Sequence, residues 1–270
     1  MATGRPKHPP ELADRPADAG VDMKTLLLAV CVLPLAAPAT RAGGINLAWG
    51  TRCWFDNPTT LSTFACDSND GSVSFSVSFA TDFSLPSLVL FQAEFDLQSD
   101  SAVLPDWWQL TDPGGCREGS LSASVDTSAT WHGCPNPWAG VQPTYEYRRW
   151  YTAAFPDGVT GLPANRAKFF AEYGIWPPVG IFPGGRAGLE HYLFTLTIDF
   201  VRTLGSGACG GCGTPVTIVL NRVSLYGNGT INLTNPIYNQ CLRWQTGGVT
   251  PCSATPTRSG TWGSIKALYR

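Results

Sequence analysis

Charge is scarce in this sequence: 14% of its 270 residues are Asp, Glu, Lys or Arg. Globular chains usually carry about one quarter. The formal net charge is −2, which removes the electrostatic basis for binding nucleic acid or an anionic membrane. Histidine is rarer still. Only His132 and His191 lie beyond residue 42, which leaves little room for a Ser-His-Asp arrangement. The sequence contains no GxSxG elbow, no HExxH helix, no GxGxxG opening a helix and no GxxxxGK[ST] loop. The usual sequence marks of serine hydrolases, zinc proteases, dinucleotide binders and phosphate-loop enzymes are therefore missing. No metal or cofactor is expected. No run reaches about 18 uninterrupted apolar residues, so nothing reads as a membrane-spanning helix. Strand–helix–strand alternation is also missing, which argues against a parallel α/β fold.

What the chain does contain is 29 Gly, 22 Pro, 13 Phe, ten Trp and nine Cys, with 43% hydrophobic residues. Many turns, many aromatics and enough apolar surface for a core point to a β-rich fold. The first 42 residues read as something other than fold. Residues 1–22 are rich in Pro, Ala and charge, without periodicity, and read as an extension ahead of a true start at Met23. From Met23 the text becomes MKTLLLAVCVLPLAAPATRA. Lys24 supplies a positive start, Leu26 to Ala37 a short apolar core, and Ala42 or Ala39 a small residue for cleavage. This is a secretory signal peptide by pattern, so the protein is expected outside the cell or on its surface. The leader holds five basic residues (Arg5, Lys7, Arg15, Lys24, Arg41) and four acidic ones (Glu11, Asp14, Asp18, Asp22), leaving 13 basic against 16 acidic and a net of −3. Residues 43–252 are expected to form one domain, and 253–270 a linker with a short tail.

Behind the leader stand eight cysteines: Cys53, Cys66, Cys116, Cys134, Cys209, Cys212, Cys241 and Cys252. An even count in an exported chain reads as a disulfide framework. Their clustering favours sequential pairing, 53–66, 116–134, 209–212 and 241–252. Cys209-Gly210-Gly211-Cys212 also has the spacing of a zinc or redox motif, but its glycine-rich surroundings describe a loop.

Strand patterns are plain. Val73, Phe75, Val77 and Phe79 alternate with serines; Phe91, Ala93, Phe95 and Leu97 alternate with Gln92, Glu94 and Asp96. Similar period-two runs cover 121–126, 192–200 and 216–226, with a bend at Asn221-Arg222, and shorter candidates cover 45–49, 229–233 and 242–245. Eight or nine strands with one apolar face each suit an all-β antiparallel sandwich of jelly-roll type, with a barrel as second choice.

Residues 127–188 read differently, as a long aromatic-rich insertion. Its best helix is Asn165–Tyr173, with Asn165 as cap. Long segments on a rigid scaffold often carry binding, so Trp131, His132, Trp138, Tyr145, Tyr147, Trp150, Tyr151 and Trp176 are the candidate contact residues. A satellite core beneath a long loop is the competing account of the same aromatics. Glu94, Asp96, Glu146, Glu172 and Glu190 are the carboxylates from which a glycosidase pair would be drawn. Asp67-Ser68-Asn69-Asp70-Gly71 is oxygen-rich but reads as a tight turn, lacking the spacing of a calcium loop.

The leader, Ala208-Cys209-Gly210-Gly211-Cys212 running into Val216-Thr217-Ile218-Val219-Leu220-Asn221, and the ending TWGSIKALYR together resemble a group of uncharacterised secreted bacterial proteins. That resemblance implies export and a β-rich body, and no activity. Two functions follow from the residues: a non-catalytic binding or assembly protein whose partner is a glycan or another surface protein, and, as the alternative, a carbohydrate-active enzyme on a jelly-roll scaffold.

Overall fold

The computed structural model describes residues 43–54, 58–110, 114–127, 130–131, 134–141, 143–152, 162–181 and 189–246. The leader, the 253–270 tail, Cys252 and His132 lie outside these. All described residues belong to one unit spanning 41–270. In chain order the strands are β1 (Gly44–Trp49), β2 (Leu61–Ser62), β3 (Ser72–Ala80), β4 (Leu85–Ser99), β5 (Leu121–Ser124), β6 (Thr130–Trp131), β7 (Cys134–Pro135), β8 (Pro143–Thr152), β9 (Arg166–Ile181), β10 (Glu190–Asp199), β11 (Val216–Tyr226), β12 (Thr230–Leu233) and β13 (Cys241–Trp244). A 3-10 turn lies at Asp106–Trp108. No helix among the described residues is long and apolar enough to cross a membrane.

The strands form two main sheets. One has four strands in the order β1-β3-β10-β5; the other has seven, ordered β2-β13-β11-β4-β9-β8, with β12 also on β11. Every pairing is antiparallel except β13 with β2. The alternation of Phe91, Ala93, Phe95 and Leu97 with polar residues puts the former in the core. Phe75 and Phe194 of the four-stranded sheet meet Phe95 and Phe91 of the seven-stranded one at ring separations of 6.4 and 5.7 Å. The fold is thus the expected antiparallel β-sandwich. The expected bend at Asn221-Arg222 is a register shift between Leu220 and Arg222 inside one continuous strand, β11.

Two expectations are corrected. Asn165–Tyr173 is not a helix: Arg166–Ile181 is a strand, with Ala167, Phe169, Ala171 and Tyr173 buried in period two against β4. Pairing with β4 overrides the local helix preference of Ala, Lys and Glu. Residues 127–188 are accordingly not simply a loop-rich addition, since β8 and β9 within them widen the main sheet.

The disulfides are the second correction. Cys53 bonds Cys134, Cys66 bonds Cys212 and Cys116 bonds Cys209, across 81, 146 and 93 residues. The sequential pairs 53–66, 116–134 and 209–212 do not form, because the strand order brings remote loops together at the sheet ends. Cys241 is also disulfide-bonded. Cys209 and Cys212 take different partners, so their loop is fastened from both sides and is neither a dithiol nor a zinc knuckle. Bridging about 100 residues removes more unfolded-chain entropy than bridging about 15, by roughly 1–2 kcal/mol in the loop-closure picture.

These bridges surround an aromatic knot. Trp244 lies 4.2 Å from Phe64 and 4.9 Å from Trp107, centroid to centroid. Arg117, fully buried, stacks over Trp107 at 3.6 Å. It donates to the carbonyls of Val201 and Trp107 at 2.9 Å each, and to that of Asp199. Burial lowers its pKa to about 10, an effect that the Asp199 charge opposes.

Candidate functional site

Directly opposed residues of antiparallel strands share a face. Phe91, Ala93 and Phe95 point into the core, so Gln92, Glu94 and Asp96 line the outer face of the seven-stranded sheet. Their register partners extend that face in rows across the strands. One row runs Tyr147, Glu172, Gln92, Ser224, Asn232 from β8 to β12; the next runs Arg149, Phe170, Glu94, Arg222; a third runs Tyr151, Lys168, Asp96, Val219. On the other side of the first lies Tyr145, Gly174, Leu90, Tyr226, Thr230. Trp176, two residues beyond Gly174 and 70% exposed, continues that side.

Charges in the middle of the face are already committed. Lys168 Nζ donates to Glu94 Oε1 and stands 3.6 Å from Asp96 Oδ1. Arg222 Nη2 is 2.8 Å from Glu94 Oε2. Partial burial disfavours the Lys168 ammonium, but Glu94 and Asp96 outweigh it and hold its pKa above the ordinary value. In the first row, Gln92 Nε2 donates to Glu172 Oε2 at 3.1 Å. Buried Ser224 donates to Asn232 Oδ1 at 2.6 Å, which orients the exposed Asn232 amide. The remaining amide and carboxylate atoms of Gln92, Glu172 and Asn232 have no further partner among the described residues.

The structure divides the sequence candidates. Tyr145, Tyr147 and Tyr151 occupy outer-face register positions, whereas Trp150 stands opposite the core residue Phe169. Trp131 lies in β6 opposite Cys134. Trp138 is 1% exposed; its indole donates to Leu193 O at 2.6 Å and its ring stacks 5.1 Å from Phe91. It is packed in the core. It packs among Phe91, Val125, Val141, Tyr173 and Ile175, which leave no cavity large enough for a water molecule. Gln92, Lys168, Arg222 and Asn232 were not singled out by sequence. Gln92 shares the parity of Glu94 and Asp96, which was the available signal for it; the others depend on register.

The remaining chemical candidates are structural. Glu190 is 1% exposed. Its Oε1 accepts from Asn46 Nδ2 at 2.9 Å, from the Trp54 amide at 3.1 Å and from Ser78 Oγ, fastening the segment after β1 onto the four-stranded sheet. His191 is buried against Phe79, 5.5 Å between centroids, and burial lowers its pKa to about 4, so it is neutral at pH 7. In the 67–71 turn, Asn69 donates to Leu204 O at 3.1 Å and accepts from Leu204 N at 2.8 Å. Those atoms join two loops. Among the described residues no group of three or more His, Cys, Asp or Glu is placed to hold a metal ion.

No family model matches this chain, and no curated protein matches it in sequence. Among solved structures it is similar to a cohesin module from a Clostridium perfringens ATCC13124 family 33 glycoside hydrolase, at 4% identity and a TM-score of 0.34, covering 76% of this chain and 97% of that one. A likeness at that score bears on neither activity nor partner.

Proposed function

We propose that this is an exported or cell-surface binding protein that works by contact, not by catalysis, and that the outer face of the seven-stranded sheet is its contact surface. The register row Tyr147, Glu172, Gln92, Ser224, Asn232 carries the reading: it aligns an aromatic position with hydrogen-bonding side chains across five strands. Aromatic rings beside planar polar groups are the usual equipment of a recognition surface. Export is supported by the Met23–Ala42 leader pattern and by three disulfides, which persist in oxidising compartments. Catalysis is disfavoured by what the carboxylates are doing. Glu94 is held by cations at both oxygens, and Glu190 is sealed beneath the surface.

The test uses the chain from Gly43, produced with its disulfides intact. It is assayed against immobilised polysaccharides and defined surface proteins, with reducing-end release measured in parallel. Binding should occur and should fall at least about tenfold in the Tyr147→Ala/Trp176→Ala variant, with no sugar released. Release of reducing ends, or binding indifferent to these substitutions, would contradict the reading. N-terminal sequencing of secreted material should begin at Gly43 or Thr40.

A further inference from the structure

We infer that the ligand of this face is a neutral polysaccharide chain laid across the strands along the Tyr147–Glu172–Gln92–Ser224–Asn232 row, with Trp176, four residues along β9 from Glu172, as a stacking platform beside it. This inference rests on the contact surface proposed above and names what that surface takes. Three observations support it. The row crosses four inter-strand gaps of about 4.8 Å, roughly 19 Å in all, enough for several sugar units. Its side chains are half-used in a way that suits hydroxyl groups. Gln92 and Glu172 bond each other through one atom each, and Asn232 is held from below by Ser224. Gln92 and Glu172 therefore present acceptors, and Asn232 presents an amide donor, each already oriented. A hydroxyl both donates and accepts, so a neutral sugar can satisfy the set without bringing in charge. The neighbouring row runs Tyr145, Gly174, Leu90, Tyr226, so the polar row is bordered by aromatic and apolar register positions. Trp176, 70% exposed, continues that side.

The described ion pairs favour a neutral chain over a polyanion. Lys168 and Arg222, the two cations of these rows with described side chains, are both committed to Glu94, Lys168 also faces Asp96, and Arg149 holds one further cationic register position opposite Phe170. A uronate or phosphate approaching the row would meet Glu172 and Glu94 with neither of these cations free to receive it. A polycation would meet Arg222 and Lys168 beside those acids. An uncharged chain pays neither penalty.

Affinity electrophoresis in native gels tests this with named probes: hydroxyethylcellulose, soluble starch and galactomannan as neutral chains, polygalacturonate as anion and chitosan as cation. The wild-type protein should be retarded by at least one neutral chain. Its affinity should change less than about twofold between about 0.05 and 0.5 M salt, since no charges are neutralised on binding. Trp176→Ala and Gln92→Ala/Glu172→Ala should each weaken retardation at least about tenfold. Val103→Ala, which trims a side chain 60% exposed outside these rows, should leave it unchanged. Retardation by charged chains alone, or binding to protein alone, overturns the ligand class and leaves the contact surface standing. Neutral-chain binding that survives both face variants overturns the surface itself. No retardation by any neutral chain overturns the inference.

Discussion

Replacing Trp138 with Ala separates core from contact surface most sharply. The residue is 1% exposed, stacked on Phe91 and hydrogen-bonded through its indole to the Leu193 carbonyl at 2.6 Å. Truncation removes nearly the whole aromatic side chain and opens a cavity among Phe91, Val125, Tyr173 and Ile175. Large-to-small changes at buried aromatics cost about 3–5 kcal/mol. Leaving the Leu193 carbonyl without its partner adds about 1–3 kcal/mol unless water reaches it. Together they predict a loss of about 4–8 kcal/mol. Trp138→Phe keeps most of the apolar volume and loses the donor, so it isolates the second contribution at about 1–3 kcal/mol. The assay is urea denaturation of the oxidised protein, followed by far-ultraviolet circular dichroism, with m compared across variants. A thermal scan should show Trp138→Ala falling by roughly 8–32 °C, at about 2–4 °C per kcal/mol for a domain of this size. Trp176→Ala should lie within about 0.5 kcal/mol of wild type, since its side chain is largely solvent-exposed. A loss below about 1 kcal/mol at Trp138 would refute the packing argument.

Non-reducing peptide mapping should recover the links 53–134, 66–212 and 116–209, and recovery of 53–66 or 209–212 instead would contradict the strand order at the sheet ends. Arg117→Ala leaves the carbonyls of Val201, Trp107 and Asp199 without their donor and should destabilise by about 3 kcal/mol or more, measured by the same denaturation assay. His191 has a folded-state pKa of about 4 against 6.5 unfolded. The unfolded chain therefore binds the proton first, so this contribution is full above about pH 6.5 and is lost as pH falls towards 4. It amounts to about 3 kcal/mol, and the stability difference between wild type and His191→Phe should shift by that amount between pH 7 and pH 4.

The contrast between β4 and β9 shows what the sequence could and could not reveal. β4 is legible because apolar and polar residues alternate from Phe91 to Gln98 with little else to suggest. β9 alternates less cleanly, with Phe170 on the outer parity, and its Ala167, Lys168, Ala171 and Glu172 are good helix formers behind an Asn cap, so the local signal favours the wrong structure. Only the pairing with β4 decides it. In β8, Tyr145, Tyr147 and Tyr151 are spaced in multiples of two, which was a usable strand signal obscured by Trp150 between them. The disulfides were illegible for a different reason. Closeness in sequence is a guide to pairing only where the chain stays local, and here the topology carries Cys53 to Cys134 and Cys66 to Cys212. The outer face was half legible: the parity of Gln92, Glu94 and Asp96 marks it, but which side chains on β8, β9, β11 and β12 join them is a matter of register, and register is set by the whole sheet.

The central claim is that the outer face of the seven-stranded sheet receives the ligand. The most direct measurement is a nuclear magnetic resonance titration of the isotope-labelled protein with neutral gluco- and manno-oligosaccharides, following the side-chain amides of Gln92 and Asn232 and the indole of Trp176. The account predicts that these three signals shift together with one saturating affinity, while the indole of buried Trp138 stays in place. Shifts confined to the loops at the sheet ends, with Gln92, Asn232 and Trp176 unmoved at saturation, would contradict it.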